Sequence, residues 1–488
     1  MPPTRQNSPA GRSSRQGVPM SRTRLFVAAA LLVALTVPLA LAQPPDTQRQ
    51  VVDRRQFLNE VQTSDDPRRV PAPPGPRGPE GTRVLYGGFI FDGTGVEPRI
   101  GTLVIERNRI AAILGEGERG WPEGSQVLDV SGHTVMPGLI DLHTHLTYTE
   151  PGVPQVLAVD PVHQTLRAME RLHVFIGAGI TSIRDTGSAG TVPFIVKDWV
   201  NQNRLPGPRV FASGSLITGT GGHGAEGYSI HHPLYGGIVE ASGPDEFRDA
   251  VREQFKMGAD LIKLASHYSR EEIAAAVDEA HALGLKVTVD SETFYTGWAV
   301  EAGADTIEHP LPRTDEVIQM MARSGTASVP TIITYDYIFN ERGSYHSSTS
   351  RRFELDGEIS RAMLRELKDA GILIGVGTDL ILENYRDLPY AYIWELEAYV
   401  ESGFTPTEAL VSATRDSARI LGMDDKLGTL EVGKLADILI VEGDPLTDLG
   451  ALANIAEVFR DGYWVVRNGA VQPTPPETRV RPGPGIEN

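Results

Sequence analysis

The chain contains no cysteine, which excludes a disulfide framework and an N-terminus anchored through a lipid-modified thiol. Positive charge is also in short supply: 45 Lys and Arg stand against 63 Asp and Glu, a formal net charge of −18. Five of the arginines fall in residues 1–42, which hold no acid, so loss of that segment would take the charge to −23. So acidic a chain is poorly suited to nucleic acid or an anionic membrane surface as partner. Long apolar runs are scarce too. The run at 25–41 follows the basic stretch MSRTR at 20–24, contains Pro38 and ends in Ala-Leu-Ala before Gln43. It reads as the core of a secretory signal over residues 1–42 rather than as a membrane anchor, with Met20 an alternative start to Met1. The expected mature protein is periplasmic or secreted, without stable membrane association after cleavage.

What is present suits a globular, loop-rich protein of one large and one small domain: 488 residues, 40% hydrophobic, with 51 Gly and 35 Pro. Residues 43–81 are polar and then rich in Pro and Gly, and predict a linker or extended arm. From Thr82 short alternating runs punctuated by Gly and Asn predict a small antiparallel β-module over 82–134, and the same character returns at 426–472. A β-sandwich domain built from both ends of the chain is therefore expected, with a flexible tail at 473–488. Between its halves, over 135–425, strand-like runs alternate with helical stretches such as REEIAAAVDEAHALG. The runs lie near His143, Ile183, Val210, Lys263, Val289, Ile307, Ile332 and Val376. Eight parallel βα units predict an α/β fold of the (β/α)8 TIM-like barrel class.

The stretch VMPGLIDLHTHL at 135–146 organises the rest. Residues two apart on a strand share a face, so His143 and His145 project together, with Asp141 on the same side. Two neutral imidazoles side by side on an otherwise apolar strand suit a divalent cation such as zinc. Further polar residues close the other apolar runs: Lys263, Asp290, Glu292, His309 and Asp379. In a barrel of parallel strands those ends carry the chemistry.

With PGLIDLHTH, GITSIRDTG, GPRVFASG with GGHG, GADLIKL, TIEHP, GTD and LGTLEVGKLADILIV in view, the chain resembles the amidohydrolase superfamily over roughly 82–472. Within it the likeness is to imidazolonepropionase-related and Xaa-Pro dipeptidase-like enzymes. The resemblance implies His143 and His145 on the more buried of two metals and His309 on the second. It makes Lys263 a bridging carbamate and Asp379 both a metal contact and a proton shuttle. A bare ammonium beside a dication would be repelled, whereas a carbamate is an anion with two donor oxygens. One position departs from the pattern. Where a histidine ligand is implied on the fifth strand, KVTVDSE offers Asp290, with Glu292, His267 or no ligand as the alternatives. An oxygen donor there would admit manganese or magnesium as well as zinc at the second site. His223, in the Gly-rich loop ITGTGGHGAEGY, is expected to meet substrate and assist catalysis, with Tyr228 a further substrate contact.

These residues predict a metal-dependent hydrolase that cleaves an amide-type C–N bond of a small molecule with a metal-bound hydroxide. The substrate expected is a dipeptide such as Xaa-Pro or an N-acyl amino acid. The alternatives are a cyclic amide or lactone hydrolase, a deaminase, and a metal-poor scaffold without activity. A homo-oligomer is compatible with the sequence.

Overall fold

The computed structural model describes residues 78–148, 158–225, 237–341, 356–381 and 383–473. The expected signal peptide, most of the arm, Tyr228 and nearly all of the C-terminal tail lie outside the described residues. Among the described residues, eighteen strands, numbered β1 to β18 in chain order, make three sheets.

The two ends of the chain meet in one nine-stranded sheet. Its N-terminal members are β1 (Thr82–Ile90), β2 (Arg99–Glu106), β3 (Arg109–Gly115), β4 (Gln126–Asp129) and β5 (His133–Pro137). Its C-terminal members are β15 (Ile438–Glu442), β16 (Ile455–Arg460), β17 (Tyr463–Arg467) and β18 (Ala470–Val471). The order is β18-β17-β16-β15-β5-β1-β2-β3, with β4 also on β1. The seam joins β5 to β15 antiparallel, from Ile438 opposite Pro137 to Glu442 opposite His133. Leu85, Leu103, Ile105 and Val135 from one end share a core with Ile438, Ile440 and Phe459 from the other. Full burial of each such side chain stabilises by about 1.5–3 kcal/mol, so the two ends hold each other in place. The expected antiparallel sandwich is corrected in two respects. Strand pairing runs through one continuous sheet, and β1 pairs parallel with both β4 and β5.

The stretch expected to be a single strand at 135–146 is divided between sheets at Gly138. There β5 ends and β6 (Leu139–Thr144) begins, and a Cβ on Gly138 would lie 2.2 Å from Thr181 Oγ1. The chain passes from the outer sheet into the central sheets at a point where only glycine fits.

The central strands all pair parallel. One sheet holds β6, β7 (Ile180–Asp185) and β8 (Arg209–Ala212). The other runs β10 (Ile238–Ala241), β9 (Leu216–Gly219), β11 (Leu261–Ala265), β12 (Lys286–Asp290), β13 (Thr306–Glu308), β14 (Ala327–Val329). Helices alternate with them, among them Pro161–Gly177, Pro244–Met257, Arg270–Ala282 and Asp315–Ser324. Several start on the signals that sequence offers, such as the capping box between Ser269 and Glu272.

The eight strands expected do not form one closed ladder. The third, RVFASGSLIT, is broken in two: β8 pairs with β7, whereas β9 pairs with β11. Between them Gly214 adopts φ +76°, and a Cβ there would come within 2.2 Å of Gln254 Oε1 and 2.8 Å of the Phe194 ring. That Gln254 oxygen accepts a hydrogen bond from Ser215 N (3.0 Å) and so covers the break. The eighth run, residues 373–379, joins its neighbours through a single bridge, Ser328 to Ile374, and isolated backbone bonds. Leu142 N donates to Val376 O (2.8 Å) and Asp379 N to His143 O (2.8 Å). Ile332, expected within the seventh strand, instead opens the helix Ile332–Glu341. The strand stops at Val329 because Pro330 has no N–H to extend the ladder.

Candidate metal centre

His143 sits near the end of β6 and His145 just beyond it, both buried. Each ring is fixed through Nδ1: His143 lies 2.7 Å from Glu308 Oε2, and His145 lies 2.8 Å from the Gly187 carbonyl oxygen. Both Nε2 atoms then face one carboxylate oxygen, Asp379 Oδ1, at 3.7 Å and 3.1 Å. The shared-face expectation is thereby met in space, although His145 lies past the strand. Asp379 comes from the segment after the bridge at Ile374, with φ +50°. Its backbone is tied to His143 O, and its carbonyl accepts from Thr334 Oγ1 (2.7 Å).

His309 follows β13 with φ +66°, which swings its ring inward alongside the preceding Glu308. Its Nδ1 is 2.8 Å from Thr331 Oγ1, and its Nε2 is 3.1 Å from Asp290 Oδ2 at the end of β12. The same oxygen of Asp290 lies 3.2 Å from His223 Nε2. Lys263, in β11, is fully enclosed with Nζ 3.5 Å from His143 Nε2. No carboxylate oxygen among the described residues lies within ion-pairing distance of it. Of the alternatives for the fifth strand, Glu292 and His267 face each other, 3.3 Å between Oε1 and Nε2.

Burial and charge explain the ionisation of the group. Burial, reinforced by Lys263, drives the His143 pKa down to about 3, so the ring is neutral and its free nitrogen is a donor for a cation. Burial opposes ionisation of Asp379, yet the surrounding His143, His145 and His309 hold its carboxyl well below the usual carboxylate range. Burial likewise opposes ionisation of Asp290, and His223 and His309 overcome it. Burial lowers Lys263, which favours the neutral amine.

Whether the residues fit a divalent cation can be judged from the donors. Ligand atoms of His143, His309 and Asp379 all lie within 4.8 Å of one another, in a buried position. Asp379 Oδ1, also buried, has no aligned hydrogen bond among the described residues. Pinned Nδ1 atoms, converging Nε2 atoms and an ionised carboxylate are the donor set that zinc-type sites use. They fit.

Sequence reasoning did not single out the residues that hold this arrangement. Glu308 bonds His143 through one oxygen and, through the other, accepts from Arg184 Nη2 (2.7 Å) and from Thr288 Oγ1. Arg184 and His143 keep it ionised against the effect of burial. Asp141, read as facing the metal with the histidines, instead accepts from His143 N (3.1 Å), Thr378 N (3.0 Å) and Thr378 Oγ1 (2.6 Å). Burial raises it to about 7. It clamps β6 to the segment that carries Asp379. The available signal was a carboxylate directly before the candidate ligand His309 in TIEHP.

The chain is similar to known proteins along most of its length. Ochratoxinase of Aspergillus niger is 28% identical over 407 residues, 75% of this chain and 82% of that protein. Imidazolonepropionase of Symbiobacterium thermophilum is 25% identical over 412 residues, covering 76% and 91%. The crystal structure of a Xaa-Pro dipeptidase with bound methionine in the active site superposes with TM-score 0.70 at 29% identity, covering 78% of this chain and 99% of that one. Such neighbours imply a TIM-like α/β barrel with an added domain. Residues 134–465 match the Amidohydrolase family, and the chain, which also carries a buried cluster of His143, His309 and Asp379, belongs to that family of hydrolases acting on amide and other C–N bonds of small molecules.

Proposed function

We propose that the chain is an exported, metal-dependent amidohydrolase that cleaves the amide C–N bond of a dipeptide such as Xaa-Pro, or of an N-acyl amino acid. The observation that carries this reading is the convergence of His143 and His145 Nε2 on Asp379 Oδ1, with both Nδ1 atoms already engaged. Likeness to a Xaa-Pro dipeptidase and to ochratoxinase supports the substrate class.

His143, His145 and Asp379 would hold a first divalent cation, zinc being the best match, and His309 with Asp290 a second. Bound there, the cations supply Lewis acidity that brings the pKa of water down to about 7 and polarises the carbonyl. Asp379 is ionised and enclosed, so it can accept a proton from the attacking water and deliver it to the departing nitrogen as the C–N bond breaks. Lys263 acts as its carbamate: the neutral amine adds to carbon dioxide and releases one proton. A buried lysine with no carboxylate within ion-pairing distance among the described residues supports this, since the carbamate gives it the negative charge that a two-cation site calls for. Asp290, an oxygen donor, lets manganese or magnesium serve at the second position. The segment read as a secretory signal makes the periplasm or the medium the place of action.

Likeness to imidazolonepropionase keeps a cyclic amide as the second reading. Turnover of dipeptides, N-acyl amino acids and cyclic amides side by side, with zinc or manganese and bicarbonate, separates them. Hydrolysis of the first two classes is the expected result. Turnover confined to cyclic amides would move the assignment, and absence of turnover together with far less than one bound metal equivalent would favour a scaffold.

A further inference from the structure

His223 reaches the same carboxylate that His309 addresses. Its Nε2 is directed at Asp290 Oδ2 (3.2 Å), the same oxygen that His309 Nε2 approaches at 3.1 Å. His309 Nδ1 meets Thr331 Oγ1, whereas His223 Nδ1 is buried with no hydrogen-bond partner among the described residues, so the Nε2 side carries the ring's one polar contact there. The His223 ring is thus oriented from its Nε2 side.

The loop that carries it is built for this. Gly219 N donates to His267 O (2.7 Å), Gly222 N to Gly219 O (2.8 Å) and His223 N to Ser266 O (2.5 Å), fastening residues 219–223 onto the chain just beyond β11. The two glycines are required by the closeness of that contact. A Cβ at Gly219 would lie 2.3 Å from His267 O, and one at Gly222 would lie 2.1 Å from Thr218 Oγ1 and 2.6 Å from His267 N. Two histidine nitrogens thus converge on one carboxylate oxygen, at 3.2 and 3.1 Å, separations close to those between neighbouring donors around one cation. With bonds of about 2.0–2.2 Å to nitrogen or oxygen, ligands at tetrahedral angles stand about 3.3–3.6 Å apart, a few tenths of an ångström beyond the two separations here, which small side-chain shifts would supply.

We infer that His223 is a metal ligand, completing with Asp290 and His309 a three-donor site for the second cation. Two imidazoles and one carboxylate suit a borderline cation, zinc first, with the carboxylate also admitting the harder manganese. This takes His223 out of the substrate role expected from sequence. The inference rests on the metal-dependent reading above, and the two can fail separately.

The absence of cysteine from the chain supplies the test. His223→Cys, loaded with cobalt(II), should show a thiolate-to-cobalt charge-transfer band in the near ultraviolet, which no other residue of this chain can give. His223→Ala, dialysed against buffered zinc, should retain the first equivalent and bind the second more than about tenfold more weakly than wild type. A cobalt-loaded His223→Cys without the band, or a His223→Ala that keeps two equivalents at wild-type affinity, would overturn the inference while leaving the metal-dependent reading intact. Wild type that binds no metal in the same dialysis would overturn both.

Discussion

At the scale of the residue, the site is a set of imidazoles, two of which, His143 and His145, have their tautomers set by the acceptors behind them. Glu308 is the most exposed to test, because it orients His143 and neutralises Arg184 at once. Replacing Glu308 by Gln should lower affinity for the first cation by about 10–100-fold, as read by competition with a chelating dye. Wild-type affinity in that variant would show that His143 is oriented without it. Asp379→Asn should reduce turnover by about 10²–10⁴-fold at saturating metal if Asp379 is the proton carrier. Turnover near wild type with metal still bound would remove it from that role. His143, His145, His309 and Asp379 were legible because polar side chains closing apolar runs stand out in a sequence. Glu308 and Asp141 were not distinguished as supports, since a buried carboxylate looks the same in sequence whether it binds a metal or a neighbouring backbone. Only the distances separate Asp290, which faces two histidines, from Glu292, which pairs with His267.

At the scale of the element, alternation and helix caps located the βα units, but not where strands break or change sheet. The break between β8 and β9 hangs on Gly214. A Gly214→Ala variant should lose about 2–4 kcal/mol, combining left-handed backbone strain with the clash against Gln254 and Phe194, and urea unfolding measures it. A change below about 0.5 kcal/mol would mean the break tolerates a side chain. The helix Ile332–Glu341 behind His309 carries a titratable cap. Glu395 accepts from Ile332 N (3.0 Å) and Ile333 N (2.8 Å), while burial, with Asp336 and Asp141 adding negative charge, pushes it up to about 8. A raised folded-state pKa makes its contribution fully present below the ordinary 4.5 and lost as pH climbs through about 8. Relative to Glu395→Gln, wild type should therefore lose stability, by an amount on the order of a few kcal/mol, between those values. Unfolding midpoints for both proteins across that range check it, and a constant difference would contradict it.

At the scale of the whole molecule, the sequence conveyed the class of fold because both halves of the outer sheet share one alternating pattern, and because parallel βα units repeat between them. Closure was not legible. Whether residues 373–379 pair as a ladder or by isolated bonds depends on neighbours more than 40 residues away, such as Leu142 and Ser328, and local pattern carries nothing about them. The charge of −18 and the segment at 1–42 bear on where the protein works, and secretion of a tagged full-length chain would read that out. The claim on which the rest depends is that catalysis needs the cations held by His143, His145, His309 and Asp379. Metal should be stripped from purified protein with a chelator and returned in measured steps while hydrolysis of an Xaa-Pro dipeptide is followed. The expected result is loss of nearly all turnover on stripping and recovery that levels off at about one to two equivalents of zinc or manganese. Full turnover by protein holding less than about a tenth of an equivalent would contradict it.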